Sequence, residues 1–439
     1  MQSDFNQLAD SLFARLTGDE VLLLSFDGEE SDFVRLNHAR VRQAGRVQQR
    51  VLRLELIDGD KHASARLTLA GGDGDLARAT AALDSLRQQL PFLPADPHLL
   101  YSTEVVNTET IAADTLPDPA DAIDSVVTAG DGLDLVGIWA SGGVHAGFAN
   151  SLGQRNWFTT HSFHLDWSLY HRADKAVKCG YAGTAWDADA FGRKMADAKK
   201  QLAVLERPAR TVKPGKYRAY LAPSAVNEVV ELLGWGGFGL KAQRSKRSPL
   251  LRAVEGRERF ADGVTLSEHT GAGLSPDFQD QGFRKPERVT FVKSGSYEDA
   301  LVSPRSSKEY GVPTNGASAH EGPLSVEMEA GVLAADDVLS ELGTGVLVNN
   351  LWYLNYSDRT ACRITGMTRF ATLWVEDGEI VAPLNVMRFD DSVYRILGEG
   401  LAGLTAEREL LLSASTYGKR STASARLPGA LVNDFRFTL

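Results

Sequence analysis

The sequence predicts an α+β protein with two domains: mixed helices and antiparallel sheet over residues 1–210, and mostly antiparallel β-strands with a few helices over residues 211–439. Three observations lead to this prediction. The chain has 439 residues, whereas one domain typically takes roughly 100 to 200. Helical and alternating patterns are mixed, without the regular strand–helix alternation of a parallel sheet. A stretch rich in proline and basic residues, ERPARTVKPGKYRAYL, marks the domain boundary near residue 210.

The first elements are a helix, a hairpin and a second helix. Ser3 or Asp4 is suited to cap the start of the first helix and Gly18 its end, around apolar residues at helical spacing, Phe5, Leu8, Leu12 and Leu16. The turn Asp58-Gly59 separates two runs that alternate apolar and polar residues, with apolar positions Leu52, Leu54, Leu56, Ala63, Ala65, Leu67 and Leu69. The second helix carries Leu76, Leu83, Leu86 and Leu90 and is stopped by PFLPADP at 91–97.

The rest of the N-terminal half continues this mixture. A third helix is predicted to begin near Pro119. The stretch LVGIWASGGVHAGFANSLGQRNWFTTHSFHLDWSLYH predicts several short antiparallel strands divided by glycine and by NSLG. A long helix then closes the half, with the apolar stripe Phe191, Met195, Ala198, Leu202 and Leu205. In the second half, strands are predicted in RVTFVKSGSYEDALV, TGVLVNNLWYLNY and FATLWVEDGEIVAPL.

Composition and charge limit the classes of function. With 47 Lys plus Arg against 57 Asp plus Glu, the formal net charge is -10, which disfavours general nucleic-acid binding. The two cysteines, Cys179 and Cys362, lie far apart and form no disulfide-like or CxxC pattern. The N-terminus lacks the basic and apolar regions of a signal peptide, and no apolar run is long enough to span a bilayer. We therefore expect a cytoplasmic protein without a membrane partner.

Several segments resemble the TldD/PmbA family of metallopeptidases. Two of them lie in the first half: SDFVRLNHARVRQAGRVQQRVLRLELIDGDKHASA and GFANSLGQRNWFTTHSF. Two lie in the second half: residues 278–316, which include RSSKEYG, and residues 341–384, which include WVEDGEIVAPL. The resemblance implies a two-domain subunit that dimerises around a cavity where unfolded peptides are bound and cut. In that family, TldD-type subunits carry HExxxH on a helix and a cysteine near the C-terminus, all at a zinc ion. PmbA-type subunits, also called TldE, lack the motif and partner the catalytic subunit.

The stretch VNEVVELLGWGGFG, residues 226–239, decides between these types. When LAPSAVNEVVELLGWGGFG is aligned with the family helix, the HExxxH positions fall on Glu231 to Gly236, so that both histidines are absent and Leu232 replaces the general base. The family cysteine falls on Tyr417, a phenol that ligates zinc poorly near neutral pH. The resemblance thus implies no catalytic residue and no zinc in this chain, with zinc in a TldD-like partner. The glycines at 234–239 follow a helical pattern and indicate helix termination rather than a nucleotide loop.

Other groups offer alternative metal sites. Glu228 and Glu231 are spaced to share a helix face, which would suit a hard cation, although solvated carboxylates are more common there. The histidines His161, His164 and His171 with Asp166 would need a bent hairpin to converge, and surface positions are the preferred interpretation. His320-Glu321 begins like a zinc-protease helix, but Gly322-Pro323 predicts a loop.

Two further features lead to no catalytic prediction. The basic segment 241–252, KAQRSKRSPLLR, is interpreted as a mobile solvated loop or as a surface for a partner subunit. A GxSxG elbow is absent from the sequence, and Cys362 is expected to be a small buried hydrophobe in a strand.

The resulting prediction is a non-catalytic, PmbA/TldE-like subunit that pairs with a TldD-like chain or with itself and binds unfolded peptide. Cavity-lining groups are expected at Glu231, Trp235, Tyr353 and Tyr417. Two alternatives remain open: a self-sufficient metallohydrolase that uses residues 161–171 or the two glutamates, and a non-proteolytic binding or modulator protein.

Overall fold

A computed structural model of the protein describes residues 1–173 and 175–438. The predicted α+β fold is confirmed. In the part of the chain that the structure describes, a seven-stranded sheet belongs to the first half and an eleven-stranded sheet to the second. No helix within residues 1–173 and 175–438 combines the length and the apolar character needed to cross a membrane.

The first half contains strands and helices with the following bounds: α1 Gln2–Phe13, β1 Val21–Asn37, β2 Arg40–Asp58, β3 Lys61–Thr68, α2 Gly74–Gln89, β4 Thr108–Ile111, α3 Pro119–Ala129, β5 Asp134–Asn150, β6 Arg155–Arg172, β7 Lys175–Gly183 and α4 Ala188–Leu205. The sheet order is β3-β2-β1-β5-β6-β4, with β7 also paired to β6. The predicted hairpin is confirmed by the antiparallel register of Leu54 opposite Ala65. The third helix begins at Pro119, as predicted, and Asp118 caps it.

The first helix ends earlier than predicted. It stops at Phe13 with Ala14 as the C-cap, five residues before Gly18, which has a left-handed backbone (φ 57°). Its N-cap is Met1 without a side-chain cap, so neither Ser3 nor Asp4 has the predicted capping role. Leu16 still packs against the same apolar cluster as Leu12, because a buried stripe can continue past the last helical hydrogen bond.

The predicted antiparallel strands divided at NSLG are confirmed after residue 134, but the expectation of several short strands is wrong. The segment forms two long strands, β5 and β6, joined by a turn after Asn150. Glycines inside β5 make room for aromatic rings on the neighbouring strand rather than ending the strand. A Cβ on Gly147 would lie 3.0 Å from the Trp157 ring, and one on Gly137 would lie 3.0 Å from the Cβ of Trp167. Glycine in a strand pattern therefore marks close packing here.

The second half contains these elements: β8 Gly215–Leu221, α5 Pro223–Gly234, α6 Leu240–Arg244, α7 Leu251–Val254, β9 Leu266–His269, β10 Arg288–Lys293, β11 Ser296–Tyr297, α8 Pro304–Tyr310, β12 Ser325–Met328, α9 Val338–Leu342, β13 Gly345–Asp358, β14 Arg363–Glu376, β15 Glu379–Pro383, β16 Arg388–Ser392, β17 Leu401–Leu412 and β18 Ser424–Phe437. The sheet order is β11-β10-β9-β12-β18-β16-β14-β13-β8, and β18 also pairs with β8. This extra pairing closes β18, β16, β14, β13 and β8 into a ring.

One apolar core is shared by the two halves of the chain. One cluster combines residues of the first half, such as Trp139 and Trp167, with Leu347, Leu373 and Leu431 of the second half. A separate large cluster combines residues of the ring strands, such as Val346 and Phe389, with the buried face of α5. The division into domains at 1–210 and 211–439 stays a prediction.

Candidate functional site

Helix α5 is the element on which the candidate site is built. Pro223 at its first turn and apolar residues at helical spacing, Val226, Val229, Val230 and Leu233, place one face in the core of the second half. The helix ends at Gly234, and the amide of Gly237 donates to the carbonyl of Leu233 at 2.8 Å. Gly236 is left-handed at φ 82°. The glycine run is a helix terminus, as predicted.

A groove of about 290 Å³ lies beside the C-terminal half of α5. Glu231 and Trp235 line it from the helix side, and Leu411 and Ser413 line it from the end of β17. Further lining side chains come from the start of β18 and from β12, among them Ser424 and Val326. We call this space the α5 groove. It brings together two of the four side chains that the sequence analysis expected at a cavity.

The other two expected cavity residues lie apart on the surface. Tyr353 on β13 is 79% exposed, and its φ of 58° is left-handed. Tyr417 is 98% exposed in the segment 413–423, which connects β17 to β18. That segment begins at Ser413, which lines the α5 groove, but Tyr417 itself does not line the groove.

Glu228 is a half-buried carboxyl on α5, three residues before Glu231. Burial raises the pKa of Glu228 to about 7, and the negative charge of Glu231 raises it further, while Lys178 of the first half opposes both effects. Glu231 itself is exposed and accepts a hydrogen bond from the Asn227 side chain at 2.9 Å. The two carboxylates are thus coupled, and one of them lies in a low-dielectric environment.

The segment 413–423 attaches this region to the first half. The side chain of Gln49 donates to the carbonyl of Gly418 at 2.6 Å, and Lys419 forms an ion pair with Asp27. Arg420 is 1% exposed and donates to the Ser162 carbonyl at 2.8 Å and to the Gly142 carbonyl at 3.1 Å. Burial lowers the pKa of Arg420 to about 10, although Glu29 opposes this effect.

A cleft of about 520 Å³ lies between the two halves, and Ala414 and Thr416 of the same segment line it. Asp166 and Lys178 form an ion pair of 3.2 Å in it, and Trp352 and Phe370 line it from the second half. His164 also lines the cleft but is only 6% exposed. Burial and the nearby Arg420 lower the pKa of His164 to about 4, so the ring is neutral near pH 7.

The histidines of β6 do not converge on one site. His161 lies 3.5 Å from a carboxylate oxygen of Asp114, with its ring near His145, while His171 is exposed. The surface interpretation holds for His171 and is wrong for His164, which is buried near Arg420 where the two halves meet. Across residues 1–173 and 175–438, no three His, Cys, Asp or Glu side chains are grouped closely enough to hold a metal ion.

Glu321 has a structural environment rather than a metal-binding one. Its carboxylate is buried and accepts from the Ser303 amide at 3.0 Å, the Ser303 hydroxyl at 2.9 Å and the Lys241 amide at 2.8 Å. His320 beside it is exposed in a turn. The predicted loop over His320-Glu321 is therefore confirmed.

The basic segment 241–252 is ordered, contrary to the predicted mobile loop. It forms α6 and α7, and Ser248, Pro249 and Leu250 between them are buried. The Ser248 hydroxyl donates to the Gly237 carbonyl at 2.9 Å, which ties the segment to the end of α5. Buried apolar residues such as Leu250 pack the segment against the core of the second half, whereas its charged residues alone predicted a fully solvated loop.

Neither cysteine has the environment of a nucleophile. Burial raises the pKa of both the Cys179 and the Cys362 thiols to about 12. Cys362 is buried in the core, as expected, but it lies in the turn between β13 and β14 with φ 47° rather than in a strand. Thiols with a raised pKa hold little thiolate near neutral pH.

Comparison with known proteins identifies the family. The sequence profile of the PmbA/TldA metallopeptidase C-terminal domain matches residues 214–439. The chain belongs to the PmbA/TldD family. No curated protein sequence matches it.

Solved PmbA/TldD-like structures share the fold over the whole chain. TldE from Thermococcus kodakarensis has a TM-score of 0.78 at 13% identity, covering 99% of this chain and 100% of that one. A proposed modulator of a DNA gyrase from Thermotoga maritima has a TM-score of 0.76 at 13% identity, covering 99% and 100%. A similar protein from Bacteroides thetaiotaomicron has a TM-score of 0.75 at 15% identity, covering 99% and 98%. At such identities the likeness concerns the fold alone.

The residues that the sequence pattern was expected to align with the family zinc motif do not fit a zinc ion. Leu232, expected at the position of the general base, is 3% exposed, and Leu233 is 1% exposed. Gly234 and Gly236 carry no side chain, and Glu231 contributes a single carboxylate. A catalytic zinc takes three protein ligands and a water that a neighbouring base deprotonates. This stretch therefore supplies neither the ligand set nor the base.

Proposed function

We propose that this chain is the non-catalytic, TldE-like subunit of a TldD-type metallopeptidase complex in the cytoplasm. The observation that carries the proposal is the packing of α5. Leu232, which we align with the catalytic base of TldD-type subunits, is buried in the core, while Glu231 is exposed and accepts a hydrogen bond from Asn227. Zinc then belongs to a TldD-like partner, which pairs with this chain in a dimer or a larger assembly.

The α5 groove is the proposed binding site for unfolded peptide. It offers apolar contacts from Val230, Val326 and Leu411, with polar groups at Glu231 and Ser424. It also lies over the sheet formed by β12, β18 and β17. An extended chain can place alternate side chains in apolar pockets and use its main chain for hydrogen bonds, which requires little sequence specificity. This fits a protease complex that acts on unfolded substrates.

Metal content and activity together test the silent-subunit assignment. The purified chain, a TldD-like partner with an intact HExxxH motif, and their mixture would be assayed for zinc by mass spectrometry and for cleavage of an unfolded, quenched fluorescent peptide. We expect cleavage and co-elution from the mixture, and neither stoichiometric zinc nor cleavage from this chain alone. One zinc per chain together with cleavage by the chain alone would contradict the proposal.

A binding variant tests the groove itself. Trp235→Ala should weaken binding of the unfolded peptide, because the exposed indole is the largest apolar surface at the groove. Phe92→Ala is the matched control, since Phe92 is an exposed aromatic in the first half, 88% accessible. Equal peptide affinity of both variants would place the binding site elsewhere. Salt-dependent DNA binding by the wild-type chain would instead favour a modulator of DNA topology.

A further inference from the structure

We infer that a basic pocket next to the α5 groove binds a carboxylate of the peptide, and this inference rests on the proposed function. The pocket has a volume of about 580 Å³ and is enclosed by the end of α5, the segment 241–252, residues 319–321 and the turn at 359–360. Trp235 lines both this pocket and the α5 groove. The two spaces are therefore adjacent and share the Trp235 side chain as a wall.

The charge of the pocket is opposite to that of the chain as a whole. Lys241, Lys246, Arg247 and Arg359 line it, in a protein whose formal net charge is -10. Among the described residues that line the pocket, Glu321 alone carries a carboxylate, and that group is occupied by Ser303 and the Lys241 amide. Local potential rather than net charge governs recognition in a concave site, so an anion is favoured here.

The frame of the pocket is fixed by its own hydrogen bonds. The Arg359 guanidinium donates to the Arg247 carbonyl at 2.8 Å and to the Trp235 carbonyl, and it stacks over the Tyr356 ring at 4.8 Å. These contacts hold the turn at 359–360 against the end of α5. A fixed frame lowers the entropy that a ligand must lose on binding.

The two lysines provide the adaptable donors. Within residues 1–173 and 175–438, the ammonium groups of Lys241 and Lys246 form no ion pair or hydrogen bond with another protein group. Both residues are exposed. Lys246 has a left-handed backbone (φ 56°), a conformation that costs energy for a residue with a side chain. Charge-assisted bonds from lysine and arginine to an anionic oxygen are the strong interactions that such donors form.

Continuity with the α5 groove selects a peptide carboxylate over other anions. A peptide that lies extended in the groove reaches Trp235, and the next chemical group along it enters the basic pocket. Two parts of a peptide carry the required carboxylate: the free C-terminus and the side chain of aspartate or glutamate. Both present oxygens that match the guanidinium and ammonium donors.

Three fluorescent peptides of one apolar sequence test the inference by anisotropy on the full-length chain. The first has a free C-terminus and no acidic residue, the second is amidated, and the third is amidated and carries one glutamate near its end. We expect the first or the third to bind the wild-type chain roughly tenfold more tightly than the second, which corresponds to about 1.4 kcal/mol. The tighter peptide identifies which carboxylate is recognised.

Substitution of the lysines must remove this preference. The double variant Lys241→Gln, Lys246→Gln should bind all three peptides with the affinity of the amidated one. The matched control, Lys199→Gln with Lys200→Gln, makes the same charge change at exposed positions of α4 and should keep the preference. Added salt should weaken the preference in the wild-type chain, because it screens exposed charges.

The possible failures are distinguishable. Equal affinity of the wild-type chain for all three peptides overturns the inference and leaves the proposed peptide binding intact. Absence of binding by all three refutes the proposed function, and the inference with it. Saturable binding of inorganic phosphate that depends on Lys241 and Lys246, combined with equal peptide affinities, overturns the carboxylate assignment in favour of a phosphate ligand.

Discussion

Replacing Glu228 by glutamine should stabilise the protein at alkaline pH and have little effect under acidic conditions. The pKa of Glu228 is raised from 4.5 to about 7, first by burial and then by the charge of Glu231. The folded state therefore binds this proton more tightly than the unfolded state does. Stability falls as the pH rises from about 4.5 to about 7, and the loss is complete above that range. Glutamine keeps the shape of the side chain and removes the titration.

The magnitude follows from the shift. A change from 4.5 to about 7 corresponds to about 3 kcal/mol at pH 8, at roughly 1.4 kcal/mol for each pH unit. Because Glu228 is partly accessible, solvent screening reduces the expected gain to about 2 kcal/mol. At pH 5 the same linkage gives less than about 1 kcal/mol. The difference between the two pH values is thus larger than the usual error of denaturant unfolding.

The assay is urea unfolding of the wild-type chain and the Glu228→Gln variant at pH 5 and pH 8. The two proteins differ only at position 228, so the difference in unfolding free energy reports the titration of Glu228 together with its interaction with Glu231. Glu231→Gln is the control. It removes only the neighbouring charge and should give less than half of the gain, since burial is the larger cause. An equal effect of Glu228→Gln at both pH values would refute the reasoning.

Two further predictions concern α5 and the segment 413–423. Leu232→Glu should destabilise the fold by about 3 kcal/mol or more in thermal unfolding, because it buries an unpaired carboxyl. Glu231→His, on the exposed face of α5, should change the stability by less than about 1 kcal/mol. Similar values for the two variants would contradict the packing of α5. Arg420→Met should speed protease cleavage within residues 413–423, because it loosens the attachment of this segment to the first half. Lys419→Met removes only an exposed ion pair and should not change the cleavage rate. Equal cleavage rates of the two variants would show that Arg420 does not hold the segment.

The sequence pattern correctly predicted those elements that are fixed by residues close together in the chain. The hairpin around Asp58-Gly59 and the start of α3 at Pro119 follow from turn and capping chemistry, which acts within a few residues. The length of β5 and β6 could not be predicted this way. Glycines such as Gly147 are explained only by rings on the neighbouring strand, which a single-strand pattern does not contain.

The candidate site was predicted only in part, for a similar reason. Glu231 and Trp235 lie at the C-terminal end of one helix, and the sequence places them together. Arg420 and Lys178 were not singled out, because their roles depend on contacts between halves that are far apart in the chain. The basic residues of 241–252 were noticed, but their pocket forms only when α5 and the turn at 359–360 are packed against them.

The apolar cluster shared by the two halves has a consequence for how the chain can be dissected. Trp139 and Trp167 lie in the same cluster as Leu347 and Leu373. Dividing the polypeptide near residue 210 would leave an exposed apolar surface on each fragment. Large exposed apolar surfaces promote aggregation. For crystallography or for mapping a partner, the two fragments should therefore be co-expressed rather than produced singly.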